Sequence, residues 1–195
     1  MFSQLKTIDR NLLLYINEHN SPFLDTLMWG FSSIIPTIAL ILLFAFLFYK
    51  KFGQKKTIEF ILGCVVVFAC ADLSSNAIKH AVKRYRPTHN LEIKAQIHKV
   101  NNYEGGKYGF FSGHSANTFA ITTFIFLCAT WIQRKKRVLF FIYPLIVVYS
   151  RMYLGAHYPS DIFVGMIDGL FFGILVFYIF NNYFFKLNEV HTTNN

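Results

Sequence analysis

Charged residues are scarce in this sequence. Lys and Arg together number 19 and Asp and Glu 10 among 195 residues, 15% in all, where a soluble domain carries roughly a quarter. So few charges cannot cover the surface of a soluble chain in which 54% of residues are hydrophobic and 23 are Phe. The same balance excludes intrinsic disorder. Eleven Gly and five Pro are too few for a collagen-like repeat. Cysteine is rare as well. Cys64, Cys70 and Cys128 all lie in apolar runs with no Cys-x-x-Cys spacing, which excludes a disulfide-framed secreted miniprotein and leaves small packing residues. No basic stretch precedes a short apolar core and a cleavage site, so no secretory signal peptide is expected.

Long apolar runs are what the sequence has instead. Residues 28–49 form a charge-free run of 22, enough to cross ~30 Å of hydrocarbon at about 1.5 Å per residue. Further runs occupy 58–78 (interrupted by Asp72), 115–132, 138–153 and 162–183. Pro36 and Pro144 within them are tolerable in membrane helices. Leu5, Ile8, Leu12, Tyr15 and Ile16 recur at steps of three and four among charged residues, which predicts an amphipathic helix over 1–22, lying in the membrane interface or covering the bundle end. The expected fold class is therefore all-α. It is a polytopic membrane helical bundle of about five transmembrane helices plus an N-terminal interfacial amphipathic helix. One domain fills 1–195, with the bundle over 28–183 and a long polar loop over 85–111.

The net charge of +9 does not mark a nucleic-acid partner, because its positions fit a bilayer. Lys50, Lys51, Lys55 and Lys56 crowd one short linker, and Arg134, Lys135, Lys136 and Arg137 another, as cytoplasmic loops do. That places the 85–111 loop, the turn from Arg151 to Ser160 and the N-terminus on the outer or periplasmic side of a cell (inner or plasma) membrane. This side also carries basic residues, and a bound anion explains them.

Three short blocks fall there. Lys79 and Arg86, seven apart, share a helix face and can converge on one phosphate, while Pro87 disfavours helical geometry at Arg86, so the helix should end about there. Ser112-Gly113-His114 opens the third run, where a capping Ser, a Gly that permits close approach and a helix N-terminus suit an oxyanion. Arg151, His157 and Asp161 lie within eleven positions. Arg151 can bind phosphate, His157 is a candidate nucleophile and Asp161 its orienting carboxylate. Taken singly, each block has a plainer reading: snorkelling cations, a capped helix with an interfacial His, a structural His–Asp pair. Together they supply a phosphomonoesterase that needs no metal and no cofactor. Cations and backbone donors stabilise the equatorial oxygens, one His attacks phosphorus and the other protonates the leaving oxygen.

The blocks KHAVKRYRP, FSGH and SRMYLGAHYPSD resemble, in order and internal spacing, the signature of the type-2 phosphatidic acid phosphatases. These are the integral-membrane branch of the superfamily shared with vanadium haloperoxidases. The resemblance implies that Lys79, Arg86 and Arg151 bind the phosphate, with hydrogen bonds from Ser112 and Gly113. It also implies a phosphohistidine on His157, oriented by Asp161, with His114 as the general acid, and a site on the outer face. The family usually has proline before Ser-Gly-His, where this chain has Phe111. Many relatives have six spans; here the first is replaced by the interfacial helix. The implied substrate is a membrane lipid phosphate: phosphatidic acid, phosphatidylglycerol phosphate, an isoprenoid diphosphate or lipid A. The alternative from a different class is a non-enzymatic polytopic anion-binding or transport protein. Nothing in the residues sets an oligomeric state.

Asp72 and Asp168 lie inside apolar runs, where an acid costs roughly 2.5–3.5 kcal/mol, and are read as buried polar links. Gly165, Gly169 and Gly173 form a small-x-x-x-small face that predicts tight helix packing. His19, His80, His89, His98 and His191 show no partner pattern and read as interfacial or solvated. The stretch 103–107 is placed as a roof over the pocket.

Overall fold

The computed structural model describes residues 2–132 and 138–185. Its helices are α1 (Phe2–Glu18), α2 (Pro22–Ser32), α3 (Ile35–Val82), α4 (Gly113–Ile132), α5 (Ile142–Tyr153) and α6 (Pro159–Phe180). Between α3 and α4 the chain makes three short 3-10 turns, and another, Val138–Phe141, leads into α5. Among the described residues the pairing of strand type is a single bridge, Tyr85 with Tyr108. The expected all-α class holds. Two segments, Ile35–Val82 and Pro159–Phe184, are long and apolar enough to cross a membrane.

The 48 residues of α3 are two antiparallel arms. Gly53 leaves helical geometry at φ 77°, ψ −177°, and the rings of Phe48 and Phe60 stack with centroids 4.5 Å apart. Twelve residues of straight helix would rise about 18 Å, so the chain must reverse between them. A positive φ is open to Gly at little cost, and Lys50, Lys51, Lys55 and Lys56 flank the turn, as the short basic linker required. The second basic cluster, Arg134 to Arg137, lies outside the described residues.

The first apolar run is not one helix. It is cut where α2 ends, with Ser33 extended at ψ 166° and its hydroxyl donating to Gly30 O at 2.7 Å. Pro36 is the cause. It has no N–H, and its ring would strike the carbonyl four residues back, that of Ser32. Instead it occupies the first turn of α3, where proline fits. Pro144 likewise sits in the first turn of α5, so the helical part of the fourth run begins at Ile142.

α6 packs on α4 through its glycine face. A Cβ at Gly165 would fall 2.7 Å from Ser112 O, at Gly169 2.4 Å from Ala116 O and at Gly173 2.6 Å from Thr123 Cβ. The backbones approach too closely for any side chain, as the small-residue spacing predicted. The second arm of α3 closes on α4 in the same way at Gly63, whose added Cβ would lie 2.2 Å from Phe124 Cζ. Asp72 accepts from Asn117 Nδ2 at 3.2 Å, joining α3 to α4, and Asp168 accepts from Ser74 Oγ at 2.8 Å, joining α6 to α3. Both acids are polar links between helices.

α1 turns Leu5, Ile8, Leu12 and Tyr15 outward and buries Asp9, Leu13 and Asn17. Its apolar stripe therefore does not cover the bundle. It is held by Leu13, packed with Ile93, Ile97 and Tyr158, and by polar contacts: Asn17 Nδ2 donates to Tyr153 O at 2.7 Å and Oδ1 accepts from His98 N at 2.8 Å. His98 is not simply solvated, because its ring pairs with Asp25 at 3.0 Å. His191 lies outside the described residues. At one end of the bundle Lys56 Nζ donates to Phe184 O at 2.6 Å, bringing the Gly53 turn beside the end of α6. The opposite end gathers α1, the loop between α3 and α4, and the α5–α6 turn.

Candidate active site

A cavity of about 330 Å³ opens at that second end, lined by Lys79, Arg86, Gly113, His114 and His157, with Asp72 and Asn117 among its other walls. Three blocks separated by up to 78 residues thus converge.

Lys79 and Arg86 meet there, but not by sharing a helix face. α3 stops at Val82, and Lys83 caps it in the left-handed region at φ 52°. Arg86 is extended, at φ −64°, ψ 157°, as a residue before proline should be. Backbone bonds fix it: Arg86 N donates to Lys107 O at 3.1 Å, and Gly109 N to Arg84 O at 2.9 Å. Its Nε donates to Tyr108 O at 3.2 Å. Gly109 permits the approach, because a Cβ there would sit 2.9 Å from Arg86 Cγ and 3.5 Å from His157 Nδ1. Lys79 Nζ lies 3.3 Å from Ser75 Oγ and 3.4 Å from Asn76 Oδ1, one turn back on its own helix.

Ser112 is fully buried and caps α4, its Oγ accepting from Ser115 N at 3.3 Å. Ser112 N donates to Asp161 O at 3.0 Å, which ties the second block to the third. Gly113 is needed as expected: a Cβ there would be 3.0 Å from Lys79 Nζ. His114 stands in the first turn of α4 and faces the cavity. Phe111 is buried in the main apolar cluster.

Arg151 is 2% exposed and stands behind the cavity wall. One arm bonds Ser32 Oγ, the other donates to Tyr103 Oη at 2.8 Å, and the guanidinium lies 5.4 Å over the Tyr103 ring. Tyr103 thereby roofs this side, packed edge-on against Trp29 at 5.7 Å. Burial works to raise the Tyr103 hydroxyl pKa, but Arg151 and Arg86 outweigh it and draw the value down.

His157 is 1% exposed, and neither ring nitrogen has a hydrogen-bond partner among the described residues. Its Nδ1 stands 3.8 Å from Asp161 Oδ2, close but beyond hydrogen-bond length. Burial, then Arg86, Arg151, His114 and Lys79, hold its pKa well below the ordinary histidine value. The buried ring is therefore neutral near pH 7, with a lone pair among cations.

Asp161 is fully buried, and its strongest partner is a residue that the sequence reading missed. Arg84 Nη1 donates to Asp161 Oδ1 at 2.6 Å. Arg84 is one more basic residue in a basic block, and no spacing rule separated it from Lys83. Asp9 was missed for another reason. Asp9, Leu13 and Asn17 recur at steps of four, a readable buried line, but the more apolar line of α1 masked it. Among the described residues no three His, Cys, Asp or Glu side chains gather as metal ligands would.

Comparison with known proteins agrees with this geometry. Residues 60–185 match the PAP2 superfamily. The chain is 35% identical over 181 residues to a lipid A 4'-phosphatase from Porphyromonas gingivalis, covering 89% of this chain and 73% of that protein. It is 31% identical over 181 residues to a lipid A 4'-phosphatase from Bacteroides thetaiotaomicron, covering 92% and 80%. The fold matches the crystal structure of a transmembrane PAP2 type phosphatidylglycerolphosphate phosphatase from Bacillus subtilis. The TM-score is 0.71 at 19% identity, over 92% of this chain and 88% of that one, a likeness of fold.

Proposed function

The chain belongs to the PAP2 superfamily and is a phosphate-ester hydrolase of the membrane lipid-phosphatase class, and we propose that it cleaves a phosphate from a membrane lipid through a phosphohistidine on His157. The observation that carries this reading is the cavity where Lys79, Arg86, His114 and His157 converge. Lys79 and Arg86 bind the phosphoryl oxygens, with Arg151 adding its charge from behind the cavity wall and the Ser112–Gly113 end of α4 supplying backbone donors. The free ring nitrogen of His157 attacks phosphorus. The bond from phosphorus to the lipid oxygen breaks, and His114 gives that oxygen its proton. Water then attacks the phosphohistidine, giving its proton to His114 and releasing inorganic phosphate and neutral His157. Asp161 orients the ring. The cations stabilise the equatorial charge that a metal supplies in other phosphoryl-transfer sites.

Five spans fit the fold when the two arms of α3 are counted with α4, α5 and α6, α1 lying in the interface on its outward apolar stripe. The two relatives named as lipid A 4'-phosphatases make a phosphate borne on a lipid-linked sugar the first substrate to try. Wild-type protein in detergent with EDTA should release phosphate from a lipid A 4'-phosphate faster than from phosphatidic acid, phosphatidylglycerol phosphate or an isoprenoid diphosphate. His157→Ala should release none from any. Turnover by His157→Ala would overturn the mechanism. A flat or inverted substrate ranking would overturn the choice of lipid.

A further inference from the structure

A buried carboxylate needs a cation, because an unpaired charge out of water costs several kcal/mol and is neutralised instead. Asp161 has no exposed surface, and the neutral ring of His157 offers it no charge. The cation that reaches it is Arg84, at 2.6 Å, which also donates from Nη1 to Ser160 Oγ at 2.7 Å and lies 4.1 Å over the Tyr158 ring. The other arm of the same guanidinium, Nη2, donates to Asp9 Oδ2 at 2.6 Å. Asp9 belongs to α1, which precedes the region matching the family. It also accepts from Ser160 N at 2.8 Å, at the N-terminal turn of α6 that carries Asp161. A continuous chain thus runs Asp9–Arg84–Asp161–His157.

We propose that Arg84 is a positioning residue, which favours the charged form of Asp161 and holds its carboxylate beside His157, and that Asp9 holds Arg84 in place, making the N-terminal helix a working part of the active site. The inference rests on His157 being the nucleophile. Arg84 needs the second anchor because it is not sealed in. Its side chain is 27% exposed beside an open groove lined also by Lys6, Arg10, Lys83 and Glu92, where water competes for it. Asp9 occupies the far arm and leaves the near arm aimed at Asp161. The charges facing Asp161 are then Arg84 and, beyond it, Asp9, with the Tyr158 hydroxyl and the His157 ring the other titratable groups beside it. Burial works against the charge on Arg84, but Asp161, Asp9 and Tyr158 outweigh it and raise its pKa, so the guanidinium is charged throughout the working range.

The sign of the pH effect is fixed. Without the Arg84 charge, Asp161 protonates more readily, which raises the pH at which activity fails on the acid side.

The test uses full-length protein in detergent with its best lipid substrate. Arg84→Gln should lower kcat about tenfold or more, equal to about 1.4 kcal/mol of barrier, with KM little changed. The acid limb of its kcat profile should move up by about a pH unit or more. Arg84→Lys should return the limb most of the way. Asp9→Asn should shift kcat in the same direction by less, and should add nothing to Arg84→Gln, since linked residues are not additive. Normal kcat per folded molecule, with an unmoved limb, in Arg84→Gln and Asp9→Asn would overturn the proposal. If Arg84→Gln does not fold, the limb in Asp9→Asn decides alone. Failure of the nucleophile assignment would show separately, as turnover by His157→Ala.

Discussion

A nucleophilic histidine has to be neutral at the nitrogen that attacks. His157 is walled in and surrounded by cations, which lowers its pKa. The consequence is measurable. In ring-labelled protein, the nitrogen shifts of His157 should remain those of the neutral form at pH 6, where a histidine of pKa about 6.5 is mostly protonated. A titration near 6.5 would contradict the burial seen here. The linkage has a definite sign. Below about pH 6.5 the unfolded chain binds a proton at this residue that the native state refuses, so stability falls as pH falls through that window. His114 faces the open cavity and is assigned the leaving oxygen. His114→Ala should lose on the order of 10²–10⁴-fold on a lipid alkyl phosphate. It should lose far less on p-nitrophenyl phosphate, whose leaving group needs little protonation. Equal loss on both substrates would remove His114 from the role of acid.

Helices in this chain are held as much by glycine as by large side chains. Helix propensity alone says that Gly→Ala in a helix gains about 1 kcal/mol. At Gly30 of α2, where an added Cβ meets nothing within 4 Å, that gain should appear as a raised midpoint of thermal unfolding. At Gly169, where the Cβ would meet Ala116 O at 2.4 Å, overpacking of about 1–3 kcal/mol should reverse the sign and lower it. Parallel behaviour of the two variants would mean that the glycine face does not set the α4–α6 spacing. This packing was legible because the spacing of Gly165, Gly169 and Gly173 is itself the geometric requirement. The start of α4 was legible too, since Ser112 caps and Gly113 admits Lys79. The break before α3 was not, although Pro36 marks it, because membrane helices tolerate proline and hydropathy does not register a break of two residues, Ser33 and Ile34. The place of Arg86 was misjudged for a related reason. Pro87 predicted an extended Arg86 correctly, but Lys83, an ordinary residue in a left-handed cap, ended the helix four residues sooner. The buried face of α1 was hidden because two of its buried residues, Asp9 and Asn17, are polar and Leu13 alone between them is apolar.

At the scale of the molecule, the two ends of the bundle differ in chemistry, and orientation follows from that difference. One end holds the cavity and the Lys79, Arg84, Arg86 and Arg151 side chains, each bonded to or aimed at a partner inside the site. Those cations are committed to structure and to an anion, so they weigh little in the balance that orients a membrane protein. The other end carries Lys50, Lys51 and Lys55, exposed around the Gly53 turn, with Lys56 bonded to Glu59 and Phe184. Exposed lysines in a tight hairpin are the kind that stay cytoplasmic. On this reading the cavity end is expected to face outward. Lys94 is exposed on the loop at the cavity end and Gln54 is exposed at the hairpin turn. A cysteine introduced at Lys94 should react in intact cells with a membrane-impermeant thiol reagent, and one at Gln54 only after the cells are opened. The native thiols are poor competitors, since Cys64 and Cys128 are buried and Cys70 is partly covered. The reverse pattern would put the site on the cytoplasmic side and make the committed cations, not the hairpin lysines, the ones that set the topology.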